Sequence, residues 1–245
     1  MEKNEINSNA NKTKNNNIKN EKEKIEFDIL SPDIYKELDP DLTFKIIVIG
    51  NSGVGKSCLS LNGTTGNFIE NHNTTIGFDF FSFVGKVNKT IIRLQIWDTC
   101  GQEDYKSLVQ NFYRGSVLAI IVYAINDFKS FQSIGNWVKQ LKQYSSPDIK
   151  IFLIGNKCDL EDNRVVSNEM GKKLKEDLEF ELFMETSAKT GFNSQKLFIE
   201  AFQLLYLNYK YRNSFIRNSF ISENNRSISL VGKELIKKEN KKKCC

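Results

Sequence analysis

One stretch limits what this chain can fold into: Gly50-Asn51-Ser52-Gly53-Val54-Gly55-Lys56-Ser57. The apolar run 44–49 before it reads as a buried strand, and Cys58-Leu59-Ser60-Leu61 after it reads as the opening of a helix. Strand, glycine-rich loop and helix form the context in which a GxxxxGK[ST] pattern cradles phosphate. Glycines let the backbone curl around an anion, so that successive N–H groups point inward as a nest. The following helix adds the positive end of its dipole. Lys56 supplies a point charge for the β- and γ-phosphates, and the Ser57 hydroxyl can ligate Mg²⁺. The plain alternative is a Gly/Ser turn between two elements.

The 245 residues do not read as one uniform unit. Residues 1–26 are an Asn/Lys/Glu tract with almost no apolar content and no h-region, so the expectation for 1–40 is a disordered extension. Between residues 41 and 209 apolar strands alternate with amphipathic helices, the pattern of a parallel α/β sheet. Strands are expected at 44–49, 78–86, 90–97, 117–125, 150–155 and 182–186, and helices near 55–62, 104–113, 129–144, 167–178 and 193–208. The longest apolar run, 117–125, is too short to span a bilayer, for which about 20 residues are needed, and suits a central strand buried on both faces. Cys58, Cys100 and Cys158 lack metal-like spacing and read as small buried residues or free thiols. The formal net charge of +5 is concentrated in 210–245, expected to be a flexible, basic, hypervariable tail, where 210–243 carry ten basic and three acidic side chains. A basic tail fits either nucleic acid or an anionic membrane.

Three further motifs follow strands, where the loops of an open α/β sheet build ligand sites. The strand ending at Trp97 leads into Asp98-Thr99-Cys100-Gly101-Gln102-Glu103. Asp98 stands where a second Mg²⁺-organising group sits in P-loop enzymes, Gly101 can bring its N–H to a terminal phosphate, and Gln102 can orient a water in line with it. The strand ending at Gly155 leads into Asn156-Lys157-Cys158-Asp159. A carboxylate accepts two hydrogen bonds from adjacent N–H and NH₂ donors, which guanine has and adenine lacks. A site built on such a pair rejects the wrong base because its polar groups would be left unpaired. Glu185-Thr186-Ser187-Ala188-Lys189 follows a short strand, with backbone N–H groups for the guanine O6 and a Lys189 stem to cover a ring face.

With these motifs in order, residues 44–208 resemble a small GTPase of the Ras superfamily, specifically of the Rab family. Thr75-Ile76-Gly77-Phe78-Asp79-Phe80, Leu94-Gln95-Ile96-Trp97-Asp98-Thr99, Phe112-Tyr113-Arg114-Gly115 and the terminal Cys244-Cys245 carry the Rab-like character. The resemblance implies a P-loop G-domain over 41–209, with a six-stranded, mostly parallel sheet and about five helices. It implies Gln102 and Lys56 as catalytic residues. It also implies a nucleotide site made from Gly50 through Ser57 with Cys58, from Phe68, Thr75 and Gly101, from Asn156, Lys157 and Asp159, and from Ser187, Ala188 and Lys189. Mg²⁺ would be held by Ser57, Thr75 and Asp98. Phe80, Trp97 and Phe112 match an aromatic trio that reads the nucleotide state out to effectors, against the plainer reading of sheet packing.

The same resemblance implies a monomeric GTP/GDP switch in vesicle-mediated membrane traffic. Its partners would be an exchange factor, a GTPase-activating protein, a GDP-dissociation inhibitor or escort protein, and effectors. It would not bind nucleic acid. Cys244 and Cys245 look like a double geranylgeranylation site, giving a prenylated protein on the cytoplasmic face of an intracellular or plasma membrane, cycling with the cytosol. Two lipid signals anchor stably where one is marginal, and each nearby lysine adds roughly 1 kcal/mol at an anionic leaflet. The other readings are a soluble nuclear-transport-like GTPase, which has no use for the Cys-Cys end, and a small-molecule kinase, which needs an arginine-bearing lid. Departures from the family pattern are His72 for a Tyr, Cys100 for an Ala, Asp104-Tyr105 for Arg-Phe, Phe112 for a Tyr and Ala124 for an Asp.

Overall fold

The computed structural model describes residues 26–30, 39–70, 78–99 and 112–214. Its strands are β1 (Phe27–Ile29), β2 (Leu42–Ile49), β3 (Phe78–Val87), β4 (Thr90–Thr99), β5 (Leu118–Ala124), β6 (Lys150–Asn156) and β7 (Leu182–Glu185). Its helices are α1 (Lys56–Thr65), α2 (Phe128–Gln132), α3 (Ile134–Tyr144), α4 (Asn168–Asp177) and α5, described over 194–214. The sheet order is β1-β3-β4-β2-β5-β6-β7. β2 pairs in parallel with both β4 and β5, β5 with β6, and β6 with β7; β3 runs antiparallel to β4 and to β1.

Strand alternation divides the core. Ile46 and Val48 of β2 face the side covered by α5, where Phe198, Phe202 and Leu205 pack. Ile47 and Ile49 face the side covered by α3, where Trp137 and Leu141 pack. β5 is buried along its whole length, as its continuous apolar run predicts for a central strand. Burial of both faces by helices is what makes a mostly parallel sheet stable, and it leaves the loops at the strand ends for binding.

Three expectations change. The last helix, expected over 193–208, continues to 214, into the stretch from 210 expected to be a flexible tail. The sheet has seven strands instead of six, because Phe27–Ile29, expected within a disordered extension, pairs with β3. Its docking is specific. The Glu26 N–H donates to Asn88 Oδ1 at 3.0 Å, and the Asn88 N–H donates to the Glu26 carbonyl at 2.8 Å. The Phe27 ring lies over Gly85, where a Cβ would come within 2.9 Å of it, and meets Phe202 at 5.2 Å. Three residues are too few to show a period of two, so only a partner edge reveals them. The helix expected over 129–144 is two helices. Asp127 caps α2 by accepting from the N–H groups of Lys129 and Ser130. α2 stops at Ser133, whose hydroxyl donates to the Lys129 carbonyl at 2.9 Å. Most of the helix expected at 104–113 lies outside the described residues; Phe112 and Tyr113 are helical. Among the described residues no helix is long and apolar enough to cross a membrane.

Candidate functional site

The loop from Gly50 to Gly55 leaves the end of β2 in the middle of the sheet. Gly50 has φ +143°, and a Cβ there would lie 2.1 Å from the Val122 carbonyl oxygen, so the loop can press on β5 only with glycine. Gly55, at φ +94°, precedes the first turn of α1. Lys56 is buried, and its ammonium donates to the Asn51 carbonyl at 3.0 Å. The Lys157 ammonium donates to the Gly53 carbonyl at 2.6 Å. Val54 is buried, while Ser52 and Gly53 are exposed at the tip of the loop.

Asn51 is an anchor between elements. Its amide donates to Ser133 Oγ at 3.1 Å, and its carbonyl oxygen accepts from the Trp137 indole N–H at 3.0 Å. The start of α3 therefore holds the loop from the side. No local pattern marks Ser133 or Trp137 for this task, because their partner is more than eighty residues away.

β4 and β2 are parallel neighbours, so the end of β4 meets the first turn of α1. Asp98 is fully buried there, and the Ser57 hydroxyl donates to its Oδ2. Thr99 donates to the Val48 carbonyl at 3.0 Å, fixing the strand end. A hydroxyl and a carboxylate brought together are an all-oxygen donor set, which suits a hard cation such as Mg²⁺. Among the described residues no cluster of three His, Cys, Asp or Glu could hold a metal.

The two motifs expected to hold the base join the same edge. Asn156 is 1% exposed; its amide donates to the Val54 carbonyl at 2.9 Å. Its Oδ1 accepts from Thr186 Oγ1 at 3.1 Å and from the Ala188 N–H at 3.2 Å. Asp159 Oδ1 accepts from the Ser187 hydroxyl at 2.5 Å. One asparagine thus ties the phosphate loop to both loops expected to hold the base. Asp159 is exposed, and so is Lys189 beside the buried Ala188. Burial pushes up the thiol pKa of Cys58 and of Cys158, and nearby carboxylates push each further.

Of the remaining expected residues, Phe68 is a partly exposed ring just beyond α1, and among the described residues no hydrogen bond or ring contact ties it to the base loops. Thr75, Gly101 and Gln102 lie outside the described residues, as do His72, Cys100, Asp104, Tyr105, Cys244 and Cys245. Phe80, Trp97 and Phe112 do come together: Trp97 lies 5.6 Å from Phe80 and 5.9 Å from Phe112. The structure adds Phe78, 5.3 Å from Trp97 and 4.9 Å from Phe112. Phe78 and Phe80 are about half exposed, and the Lys45 ammonium lies 4.7 Å from the Trp97 ring centre.

The sequence profile described as "Ras family" matches residues 45–206. The chain is 42% identical over 159 residues to "Ras-related protein RIC1" of Oryza sativa subsp. japonica, covering 65% of this chain and 78% of that one. It is 41% identical over 169 residues to "Ras-related protein Rab-8B" of Dictyostelium discoideum, covering 69% of this chain and 83% of that one. It is also 41% identical over 158 residues to "Ras-related protein Rab-8A" of Gallus gallus, covering 64% and 76% respectively. A profile match over most of the chain and relatives more than 40% identical agree, so the chain belongs to the Ras family and is a Rab-like small GTPase that binds guanine nucleotide and hydrolyses GTP to GDP and phosphate.

Proposed function

We propose that this GTPase is a membrane-anchored switch in vesicle traffic. The observation that carries the site assignment is Asn156, which holds the phosphate loop and both base loops in one hydrogen-bonded unit. In this reading the N–H groups of Gly50–Cys58 and the Lys56 ammonium surround the β- and γ-phosphates. Asp159 accepts from the guanine N1–H and 2-amino groups, the Ala188 N–H region faces O6, and the stems of Lys157 and Lys189 cover the ring faces, with Phe68 at its edge. Ser57, Thr75 and Asp98 would hold Mg²⁺, which would supply positive charge to offset that developing on the phosphate oxygens.

Hydrolysis is in-line. A water oriented by Gln102 forms the new bond to the γ-phosphorus, the bond to the β–γ bridging oxygen breaks, and GDP leaves with that electron pair. Thr75 and Gly101 contact the γ-phosphate, so its loss releases their loops, and Phe80, Trp97 and Phe112 pass the change to effectors. No arginine lies within the phosphate motifs. Intrinsic turnover is therefore slow, and an activating protein raises it about 10³–10⁵-fold. Geranylgeranyl groups on Cys244 and Cys245 hold the domain at the cytoplasmic face of a membrane. An exchange factor loads GTP, and a dissociation inhibitor or escort protein returns the lipidated protein to the cytosol.

The testing experiment compares GTP with ATP binding for the parent and for Asp159→Ala. The parent should prefer GTP strongly, and the variant should lose most of that preference; equal preference in the two proteins would remove Asp159 from the base site. Gln102→Leu should stay GTP-bound even with an activating protein present. Changing Cys244 and Cys245 to Ser should move the protein from membranes to cytosol, and unaltered membrane association would eliminate the lipid anchor.

A further inference from the structure

Behind the base loops a single guanidinium uses all of its donors. Arg164 Nε donates to Glu161 Oε1 at 2.9 Å and to Oε2 at 3.0 Å, and Nη2 donates to Glu161 Oε2 at 2.7 Å. The other side of the fork meets Glu185, with Nη1 to Oε1 at 2.7 Å and Nη2 to Oε2 at 3.1 Å. Nη1 also donates to the Val166 carbonyl at 3.0 Å. Five N–H groups in a fixed plane are thereby all satisfied, an arrangement that lysine cannot reproduce.

The two carboxylates belong to different loops. Glu161 opens the 3-10 turn Glu161–Asn163, two residues past Asp159. Glu185 ends β7, one residue before Thr186-Ser187-Ala188. The Arg164 side chain is 18% exposed and that of Glu185 14%, so this arm is shielded from solvent; Glu161, at 66%, is not. A surface ion pair with neither arm shielded would contribute little. Here the shielded arm fixes the residue that leads directly into the base loop, and the other arm fixes the segment that carries Asp159.

We propose that Arg164 is a positioning residue for base recognition, clamping the loop that bears Asp159 to the loop that bears Ser187, Ala188 and Lys189. The proposal rests on the reading of Asp159 as the guanine ligand. The inner contacts, Asp159 to Ser187 and Asn156 to Thr186 and Ala188, join the same two loops nearer the base. Arg164 is the outer brace that sets their separation. Preorganised groups bind without an ordering cost at the moment of contact, so loosening the brace weakens contacts to the base and spares those to the phosphates. A clamp that only held the fold together would weaken both alike.

The experiment measures dissociation rates of GDP and of IDP from the full chain. IDP lacks the 2-amino group, so the ratio of the two rates reports how well Asp159 is aimed. Arg164→Ala should release GDP about tenfold faster and bring the GDP/IDP ratio well toward unity. Arg164→Lys should behave like Arg164→Ala, because the charge without the fork cannot bridge two carboxylates. Glu161→Gln weakens only the exposed arm, removing its charge and one of its two acceptor oxygens, and provides a folded variant if the arginine changes do not fold; it should shift the ratio in the same direction by less. A parental ratio in Arg164→Ala, or in Glu161→Gln if that is the variant that folds, would overturn the proposal. Asp159→Ala separates the two levels: if it leaves the GDP/IDP ratio unaltered, the base-site reading fails and the proposal with it.

Discussion

Gly55→Ala tests the link between the loop proposed to hold phosphate and the loops proposed to hold the base, at its tightest point. Gly55 has φ +94°, and an added Cβ would lie 2.5 Å from Asn156 Nδ2. Asn156 is 1% exposed and has little room to retreat. Moving its amide breaks the bond to the Val54 carbonyl, and the same rotation carries Oδ1 away from Thr186 Oγ1 and from the Ala188 N–H. Each neutral hydrogen bond contributes about 1 kcal/mol net, which gives about 3 kcal/mol for the three. Placing alanine at a left-handed φ adds roughly 1 kcal/mol. The sum of about 4 kcal/mol should lower the melting temperature by about 10 °C, at 2–4 °C per kcal/mol for a domain of this size. Because the three bonds span both halves of the site, GDP release should accelerate by about two orders of magnitude or more. Thermal unfolding of the GDP-loaded protein and displacement of a fluorescent GDP analogue provide the readouts. A variant that melts and releases GDP like the parent would refute the argument, because it would mean that Asn156 does not couple these loops.

Other outcomes follow from the same geometry. Phe27→Ala should cost about 2 kcal/mol, roughly half the loss for a fully buried phenylalanine, since the ring is only partly covered; it should also raise hydrogen exchange at Asn88, whose N–H donates to Glu26. The hydroxyls of Tyr113 and Tyr123 are held well above the ordinary tyrosine pKa, first by burial and then by Tyr144 and Glu185 respectively. A raised folded pKa means that the folded state keeps the proton, so stability is full below the unfolded value of about 10 and falls as pH climbs above it. Absorbance titration should show a tyrosine signal, lost in Tyr113→Phe and Tyr123→Phe, that appears only as the protein unfolds. Cys58 and Cys158, raised chiefly by burial, should alkylate more slowly at pH 8 than a free thiol, and mass mapping of the modified peptides measures this.

The sequence by itself determined the architecture and the chemistry of the motifs. Glycine spacing in 50–55, a lysine and serine at the helix start, and polar tetrapeptides after apolar strands are local signals. They report backbone freedom and donor inventory, which do not depend on distant partners. Strand positions were legible for the same reason, since continuous apolar runs such as Leu118–Ala124 can only be buried. Tertiary structure decided what depends on contacts across the chain. Phe27–Ile29 is a strand because β3 offers an edge, Gly85 a gap and Asn88 a reciprocal pair of bonds. Asn51 is held by Ser133 and Trp137, and Phe78 joins the aromatic cluster because antiparallel pairing with β4 brings it beside Trp97. The role of Asn156 shows the division most plainly. Its place in a tetrapeptide suggested base recognition, but only the fold put its amide on Val54 and its carbonyl on Thr186 and Ala188, because those partners lie 102, 30 and 32 residues away in the chain.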